Sequence, residues 1–417
     1  MPLQGPIVVV ADSKAADIVE ALRAAGAFPI VEAGWPDADS ALAKVDPEAL
    51  VLADACSDVA RVTALAERLQ ARTGPFIPVV ARTREDGGVL LPEALSIAAT
   101  APADRLANRL ASAQRLRTLH NTVLRRSGML ASHGEVPPEL PTSDPLDEAS
   151  VLLAGRGRSY PMLSVILGER VGVIGALSVE NAARALHARD INGVVIGDGF
   201  GPRIVDALLT VMAENVRFRD LPIAMLAGHP GSIGRFAEHL PNLERIGEGP
   251  QHLAERFLPY VRLHALGERL RRMLKSLDAK GMIDPDTGLL GQEAFWRDLN
   301  RAVDDAERRG VGLSMARFSF NNSDRRSGLD AARLLSRLMR QVDFACREAD
   351  NSIFAVFTDT DLRAAHVVAR RLASILKNTT MAPDRKRVGI EAAVTLATLR
   401  PNDSVDSLVA RVVGKAG

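Results

Sequence analysis

The sequence predicts three domains in a row: two doubly wound parallel-sheet α/β domains and then a smaller α+β domain. The length of 417 residues fits about three domains of roughly 150 residues each. Through the first 260 residues, short apolar runs alternate with amphipathic helical patterns, which is typical of parallel strands covered by helices on both faces. This alternation occurs twice, at a spacing of about 140 residues, so it is an internal repeat.

The first unit, residues 1–126, supplies strands and helices in strict alternation. Apolar runs predict strands at 7–10, 28–31, 49–52 and 77–80. Amphipathic spacing predicts helices at 15–25, 38–45, 58–71 and 104–124. Residues 127–147 are rich in Pro, Ser and Gly, with Val136-Pro-Pro-Glu-Leu-Pro-Thr142 at their centre, and this composition predicts a flexible or extended linker.

The second unit, residues 148–261, repeats the pattern. Strands are predicted at 150–154, 171–174, 193–196 and 223–226, and helices at 161–167, 179–188, 204–215 and near 252–258. A connecting helix, 262–281, follows. Its apolar residues are spaced three and four apart and form one seam: Leu263, Leu266, Leu270, Met273 and Leu277. Such a seam packs on its own domain or pairs with a second copy of the chain.

The third unit, residues 282–417, opens with Asp284-Pro-Asp-Thr-Gly-Leu-Leu290. A helix is predicted at 292–309, a buried strand at 313–320, a hairpin at 349–357, a helix at 364–376 and a strand at 389–397. Arg340-Gln-Val-Asp343 precedes the hairpin, which begins Ala349-Asp-Asn-Ser-Ile-Phe354. The order and spacing of these motifs resemble the GGDEF domain family, whose active members have a nucleotidyl-cyclase-like fold and condense two GTP into cyclic di-GMP.

The resemblance implies a degenerate catalytic site. Cyclase chemistry needs divalent metal held by carboxylates. The segment 314–322, which contains Ser319, has no carboxylate where the family has its first metal ligand, and the second ligand aligns with Asn351 or Ser352. The two glycines of the hairpin motif become Ala349 and Asp350. We therefore expect no catalytic residue, no metal and no cofactor, with Asp350 as the sole stray ligand for a weak or atypical diguanylate cyclase.

The product-binding pattern is retained. In the family, R-x-x-D upstream of the hairpin is the inhibitory site for cyclic di-GMP, and here it reads Arg340 and Asp343, with Arg371 aligned to an arginine that completes the site. A guanidinium pairs bidentately with guanine O6 and N7, and a carboxylate accepts from the N1 and N2 hydrogens. The alternative is a solvated ion pair contributing under ~1 kcal/mol.

The two repeat units resemble receiver domains of response regulators, which are flavodoxin-like. In the first unit, Asp54 falls at the phosphoacceptor position and Thr83 at the switch hydroxyl, while Asp12 is the single acid after the first strand and residues 97–102 offer no lysine. Asp54 is therefore a candidate phosphoacceptor in a poor metal site.

The second unit departs further from the receiver pattern. Asp198 occupies the phosphoacceptor position, but Gly155-Arg156 replaces the acidic pair, Ala227 the switch hydroxyl and Gly249 the lysine. A cation at Arg156 opposes Mg²⁺, so this unit is expected to be unphosphorylated and structural.

Composition narrows the partners and the location. The net charge of +1 gives no bulk reason to bind nucleic acid or an anionic membrane. No apolar run approaches about 18 residues and no signal peptide is recognisable, so a cytoplasmic protein is expected. The cysteines, Cys56 and Cys346, lie in different units and indicate neither a disulfide framework nor a metal site.

Receiver, receiver, GGDEF is the domain order of PleD/PopA-like response regulators in two-component signal transduction. The resemblance implies a non-catalytic cyclic di-GMP receptor or adaptor, with other signalling or cell-cycle proteins as partners, polar placement in the cell and a homodimer among the expectations. A purely structural dimerisation or scaffold module is the second hypothesis, and a weakly active cyclase is the third.

Overall fold

The architecture comes from a computed structural model. It describes residues 3–12, 15–54, 56, 58–83, 91, 93–132, 134–226, 236, 239–246, 250–320, 325–378 and 390–414. Everything stated below about structure refers to these residues.

The first sheet is parallel and has five strands in the order β2-β1-β3-β4-β5. Its strands are β1 (Ile7–Val10), β2 (Ile30–Ala33), β3 (Ala49–Leu52), β4 (Val79–Thr83) and β5 (Leu95–Ala98). The helices are α1 (Ala16–Ala24), α2 (Ala38–Lys44), α3 (Val59–Gln70) and α4 (Ala103–Ala131). The predicted strand at 28–31 overlaps β2, but its start is wrong: β2 begins after Pro29, because proline has no N–H to donate to the sheet.

The second sheet is also parallel, with the order β10-β9-β8-β6-β7. Its strands are β6 (Ser150–Ala154), β7 (Gly172–Ala176), β8 (Gly193–Ile196), β9 (Ile223–Leu226) and β10 (Leu243–Ile246). The helices are α5 (Tyr160–Gly168), α6 (Val179–Ala188), α7 (Pro202–Glu214) and α8 (Pro250–Asp278). Two parallel-sheet α/β domains are therefore present, as the repeat predicts.

The third sheet is antiparallel, with the order β12-β13-β11-β14. Its strands are β11 (Leu313–Phe320), β12 (Phe344–Arg347), β13 (Ile353–Thr358) and β14 (Ala392–Thr398). The helices are α9 (Gln292–Arg309), α10 (Arg325–Leu338), α11 (Leu362–Asn378) and α12 (Val405–Val413). Gly389, the first residue of the predicted last strand, lies outside the described residues.

Two helices of 29 residues each, α4 and α8, pack against each other and hold the three sheets together. Helix α8 runs through Pro259, so the two helices predicted on either side of this residue are one. Helix α4 continues to Ala131, five residues into the predicted linker, and a short 3-10 helix (Pro145–Glu148) ends the connection.

The seam on α8 is used within the chain. Leu270 and Leu277 are fully buried in a cluster with Val123 of α4 and Phe295 of α9. Leu266 and Met273 pack on the same cluster, and Leu263 packs on the core of the first domain. This apolar core fixes α4 and α8 against the third domain, and the segment before β12 faces both helices.

Candidate functional site

Arg340 and Asp343 form a two-pronged ion pair. They lie in the short connection between α10 and β12, and a carbonyl of Arg340 accepts from the backbone N–H of Asp343 at 3.0 Å, which closes a turn. Nε of Arg340 donates to Oδ2 of Asp343 at 3.0 Å, and Nη2 donates to Oδ1 at 2.8 Å. The spacing of three residues thus brings the two predicted side chains together, in the fork geometry that charge-assisted pairs favour.

The strand end opposite this pair holds it in place. Nη2 of Arg340 also donates to the carbonyl of Thr358 and to the hydroxyl of Thr360, both at 3.0 Å. Oδ1 of Asp343 accepts from the backbone N–H of Thr358 at 3.2 Å. The guanidinium therefore has one fixed position, anchored to a carboxylate and to the turn that ends β13.

Burial dominates the electrostatics of the pair. The side chain of Asp343 is 2% exposed and that of Arg340 is 37% exposed. Burial raises the pKa of Asp343, and the attraction of Arg340 offsets only part of that shift. Because the carboxylate is enclosed while the guanidinium reaches the surface, Arg340 is the half of the pair that an incoming molecule meets.

Two cavities flank Arg340, and α8 crosses both. The first, about 220 Å³, lies between α4, α8 and residues 340–342, with Leu116, Leu119 and Arg271 among its walls. The second, about 210 Å³, is lined by Lys275 of α8 and by Asp343. Arg271 and Lys275 are one helical turn apart, so each cavity has a cation of α8 as well as Arg340 on its walls.

Arg371 stands apart from this arrangement. It lies on the exposed side of α11, whose buried face is formed by Ala365, Ala369, Leu372 and Leu376. No hydrogen bond or ion pair joins Arg371 to the rest of the described chain, and nothing links it to Arg340 or Asp343. Its predicted part in the site stays a prediction.

The hairpin between β12 and β13 has its own ion pair. Nη2 of Arg317, on β11, donates to Oδ2 of Asp350 at 2.5 Å, and Nε donates to the hydroxyl of Ser352 at 3.2 Å. Ser352 donates its backbone N–H and its hydroxyl to Oδ1 of Asp350, at 2.9 and 2.6 Å. Burial alone would raise the pKa of Asp350, but the bonds from Ser352 and Arg317 outweigh it and hold the pKa below its usual value.

The other degenerate positions also have defined roles. Asn351 adopts a left-handed backbone, φ 66°, which asparagine tolerates better than most residues, and its side-chain oxygen accepts from Arg347. Ser319 lies in β11 opposite Ala393 of β14, and Ala349 lies in the turn between β12 and β13. Asn321 and Asn322, at the end of the aligned segment, lie outside the described residues.

These residues do not fit a divalent metal. Within the part of the chain that the structure describes, no three His, Cys, Asp or Glu side chains converge on one point. Asp350 is the one acid among the degenerate positions 349–352, and a guanidinium already occupies its carboxylate. A cation and Mg²⁺ compete for the same oxygen atoms.

The carboxylate of Asp198 accepts hydrogen bonds from a neighbouring loop of its own domain. Its carboxylate accepts from the backbone N–H of Arg158 at 2.9 Å and of Ser159 at 3.2 Å, and from the hydroxyl of Ser159. The hydroxyl bond is the main cause of its lowered pKa. A Cβ on Gly157 would clash with this carboxylate, so a larger residue there would have to displace it. Ala227 and Gly249 lie outside the described residues.

Asp54, the candidate phosphoacceptor of the first domain, lies at the carboxyl end of the central strand of its sheet. It follows β3 and is half-buried, while Asp12 follows the neighbouring strand β1 and is exposed. The hydroxyl of Thr83 donates to the carbonyl of Ile97 at 3.2 Å. Both acids are at the carboxyl edge of one parallel sheet, where ligands of such folds bind, and the assignment of Asp54 as phosphoacceptor stays a prediction.

Solved structures of GGDEF domains are similar to part of this chain. A scan against protein-family models found no match, and a search of curated proteins found none either. Among solved structures, the chain is similar to the coiled coil and GGDEF domain of DgcB from Caulobacter crescentus in complex with c-di-GMP (19% identity, 35% of this chain and 84% of that chain, TM-score 0.31). It is also similar to diguanylate cyclase SiaD in complex with its activator SiaC from Pseudomonas aeruginosa (17%, 35% and 64%, 0.31).

A third similar structure is the active GGEEF domain of a diguanylate cyclase from Vibrio cholerae (15% identity, 30% of this chain and 87% of that chain, TM-score 0.28). The chain spans about two thirds of the SiaD chain and a larger share of the other two.

In the described residues, no helix is both long enough and apolar enough to span a membrane.

Sequence reasoning missed the residues that fix Arg340 and Arg317. Thr358 and Thr360 are 18 and 20 residues from Arg340, and Asp350 is 33 from Arg317. Arg317 lies within the buried strand β11, and a charge on such a strand needs a partner. This was the signal in the sequence that could have predicted its ion pair.

Proposed function

We propose that this chain is a non-catalytic cyclic di-GMP receptor in bacterial signalling, which binds its ligand at Arg340 and displays a surface to partner proteins. The observation that carries the proposal is the fixed guanidinium of Arg340, anchored by a buried carboxylate and bordered by two cavities. The Nε and Nη2 edge of this guanidinium is engaged by Asp343, so its Nη1 and Nη2 edge is the one that can pair with guanine O6 and N7.

The surroundings of Arg340 suit a large anionic nucleotide with planar bases. Leu289 and Phe344 give the second cavity an apolar wall, and its volume of about 210 Å³ exceeds the roughly 150 Å³ that accommodates a benzene ring, which leaves room for one planar base. Lys275 offers positive charge for a phosphate beside the second cavity. Asp343 then acts as a positioning residue, because its carboxylate is spent on Arg340.

The proposed lack of catalysis rests on the hairpin. The Arg317–Asp350 pair neutralises the sole acid of the degenerate positions, so a triphosphate would arrive without carboxylates to hold its metal. The weakly active cyclase therefore has no observation in its favour. Incubation with GTP and Mg²⁺ or Mn²⁺ that produced cyclic dinucleotide would reopen it.

The two parallel-sheet domains are proposed to be degenerate receivers that support the third domain. In the second of them, the bonds of Asp198 to Arg158 and Ser159 supply a structural reason for a retained aspartate. The partners are then other signalling proteins that recognise the liganded arrangement of α4, α8 and the third domain.

Isothermal titration of cyclic di-GMP into the full chain tests the proposal. Binding in the micromolar range is expected, with loss of binding in the Arg340→Ala, Asp343→Ala double variant. Arg363→Ala, at an exposed position of α11, is the matched control for loss of an arginine on the same domain. Absence of heat up to about 100 μM ligand would reject the receptor.

A structural scaffold is the second candidate, and one observation favours it. The Arg340–Asp343 pair is already closed, with further bonds to Thr358 and Thr360, as expected for a motif that serves folding alone. Under this alternative, the double variant loses stability while neither protein binds the ligand.

A further inference from the structure

A buried polar network joins the first domain to the turn behind Arg340. Glu48, directly before β3, is 2% exposed. Its carboxylate accepts from Nε of Arg117, on α4, at 3.1 Å, and from Nε and Nη2 of Arg309, on α9, at 2.8 and 2.7 Å. Three separate parts of the chain thus share one enclosed carboxylate, and separating them would leave buried charge without a partner.

The same network reaches Asp359, the residue between Thr358 and Thr360. Nη2 of Arg309 donates to Oδ2 of Asp359 at 3.1 Å, and the hydroxyl of Thr118, on α4, also donates to Oδ2. That hydroxyl lies 3.0 Å from the carbonyl of Gln114 as well. It has a single proton, and a carboxylate is the stronger acceptor, so the bond to Asp359 takes it.

Asp359 has a left-handed backbone, with φ 48°, which aspartate and asparagine adopt more readily than other non-glycine residues. Neighbouring contacts fix this residue in place. The contacts from Thr118 and Arg309 hold it on one side, and Arg340 holds Thr358 and Thr360 on the other.

A guanine base competes with this turn for Arg340. The Nε and Nη2 edge of the guanidinium is engaged by Asp343, so a bidentate contact with guanine must use the other edge, which shares Nη2. The second proton of Nη2 points to the carbonyl of Thr358 and the hydroxyl of Thr360. Ligand binding therefore requires those two bonds to loosen.

We propose that docking of α4 and the first domain on Asp359 keeps the 358–360 turn closed around Arg340, so that this docking and cyclic di-GMP binding oppose each other. The inference rests on the proposed function and specifies how the same site is regulated. Linkage makes the opposition reciprocal: the ligand weakens the docking by the factor by which the docking weakens the ligand. The first domain thereby becomes the part of the chain that responds to the ligand.

Thr118→Val tests the proposal in the full chain. The substitution keeps the side-chain shape and removes the bond to Asp359, while Arg309 still pairs with that carboxylate. We expect calorimetry to show cyclic di-GMP binding about tenfold tighter than to the wild type, the lower end of the range for one net hydrogen bond to a charged group. Thr122→Val is the matched control, one turn along α4, where the hydroxyl donates to the carbonyl of Thr118 at 2.9 Å; its affinity should equal that of the wild type.

Hydrogen exchange on the wild-type protein gives the reciprocal readout and needs no variant. Saturation with cyclic di-GMP should speed amide exchange in residues 114–123 of α4. Equal or weaker binding by Thr118→Val, an equal gain in Thr122→Val, or unchanged or slower exchange in α4 would each overturn the coupling while leaving the receptor intact. No binding by the wild type would overturn the receptor, and the coupling with it.

Discussion

Two arginine–aspartate pairs in the third domain have the same chemistry in opposite surroundings. The side chain of Asp343 is 2% exposed and that of Asp350 is 54% exposed. Burial raises the pKa of Asp343. For Asp350, burial is the largest single effect and would raise the pKa, but the hydrogen bonds from Ser352 and Arg317 together outweigh it and lower the pKa. The contrast teaches that a buried acid fixes its arginine as a rigid group, while an exposed acid neutralises a loop and does little for rigidity.

The sharpest test of this contrast is Arg340→Met. It leaves the enclosed carboxylate of Asp343 with the N–H of Thr358 as its main donor, and removing one partner of a buried pair costs about 3 kcal/mol. Chemical denaturation at pH 7 should show a loss of that size in the free energy of unfolding. A loss below about 1 kcal/mol would mean that the pair behaves as an exposed one.

The same variant predicts a pH dependence. A carboxyl group with a raised pKa in the folded state binds its proton more tightly there than in the unfolded chain, so its favourable contribution is complete below the usual value of 3.8 and is lost as pH rises through the folded pKa. Without Arg340, that pKa rises further. The stability gap between wild type and Arg340→Met should therefore widen from pH 4 to pH 8, and a constant gap would contradict the account.

Asp343→Asn sharpens the comparison from the other side of the pair. The amide oxygen still accepts from Nη2 of Arg340 and from the N–H of Thr358, while the amide NH2 in the place of Oδ2 loses the bond from Nε. Arg340 reaches water, so no enclosed charge is left alone. We expect a loss of about 1 kcal/mol, well below that of Arg340→Met. Paired denaturation curves of the two variants measure this asymmetry, and a larger loss in Asp343→Asn would refute it.

Arg317→Met should have the smallest effect. Asp350 is exposed enough for water to replace the guanidinium, and Ser352 keeps its two bonds to the carboxylate. The expected loss is under about 1 kcal/mol. A shift in the thermal midpoint comparable with that of Arg340→Met would show that the hairpin pair is structural after all.

The sequence predicted the central strands of the two parallel sheets and missed one edge strand of each. The predicted runs 7–10, 49–52, 193–196 and 223–226 coincide with β1, β3, β8 and β9, because central parallel strands are apolar throughout. The edge strands β5 and β10 read Leu-Ser-Ile-Ala and Leu-Glu-Arg-Ile, and this mixed composition does not stand out from a loop. Two helices were predicted on either side of Pro259, but the structure has one, α8. The packing of its long apolar face stabilises the helix despite the proline.

The site shows the same limit at the level of single residues. Local spacing brought Arg340 and Asp343 together, since residues three apart meet without help from the fold. The bond between Glu48 and Arg309 spans 261 residues, and Thr118 and Asp359 are 241 apart, so no spacing rule links them. Arg371, added by resemblance alone, has no contact that joins it to the pair.

The most direct test titrates cyclic di-GMP, in parallel, into Arg340→Lys and Arg317→Lys. Lysine keeps the positive charge and loses the fork, so the two variants differ in position and not in chemistry. The account predicts that binding is lost or weakened at least tenfold in Arg340→Lys and unchanged in Arg317→Lys. Equal affinity in both variants, or loss in Arg317→Lys alone, would contradict the assignment of the ligand site to Arg340.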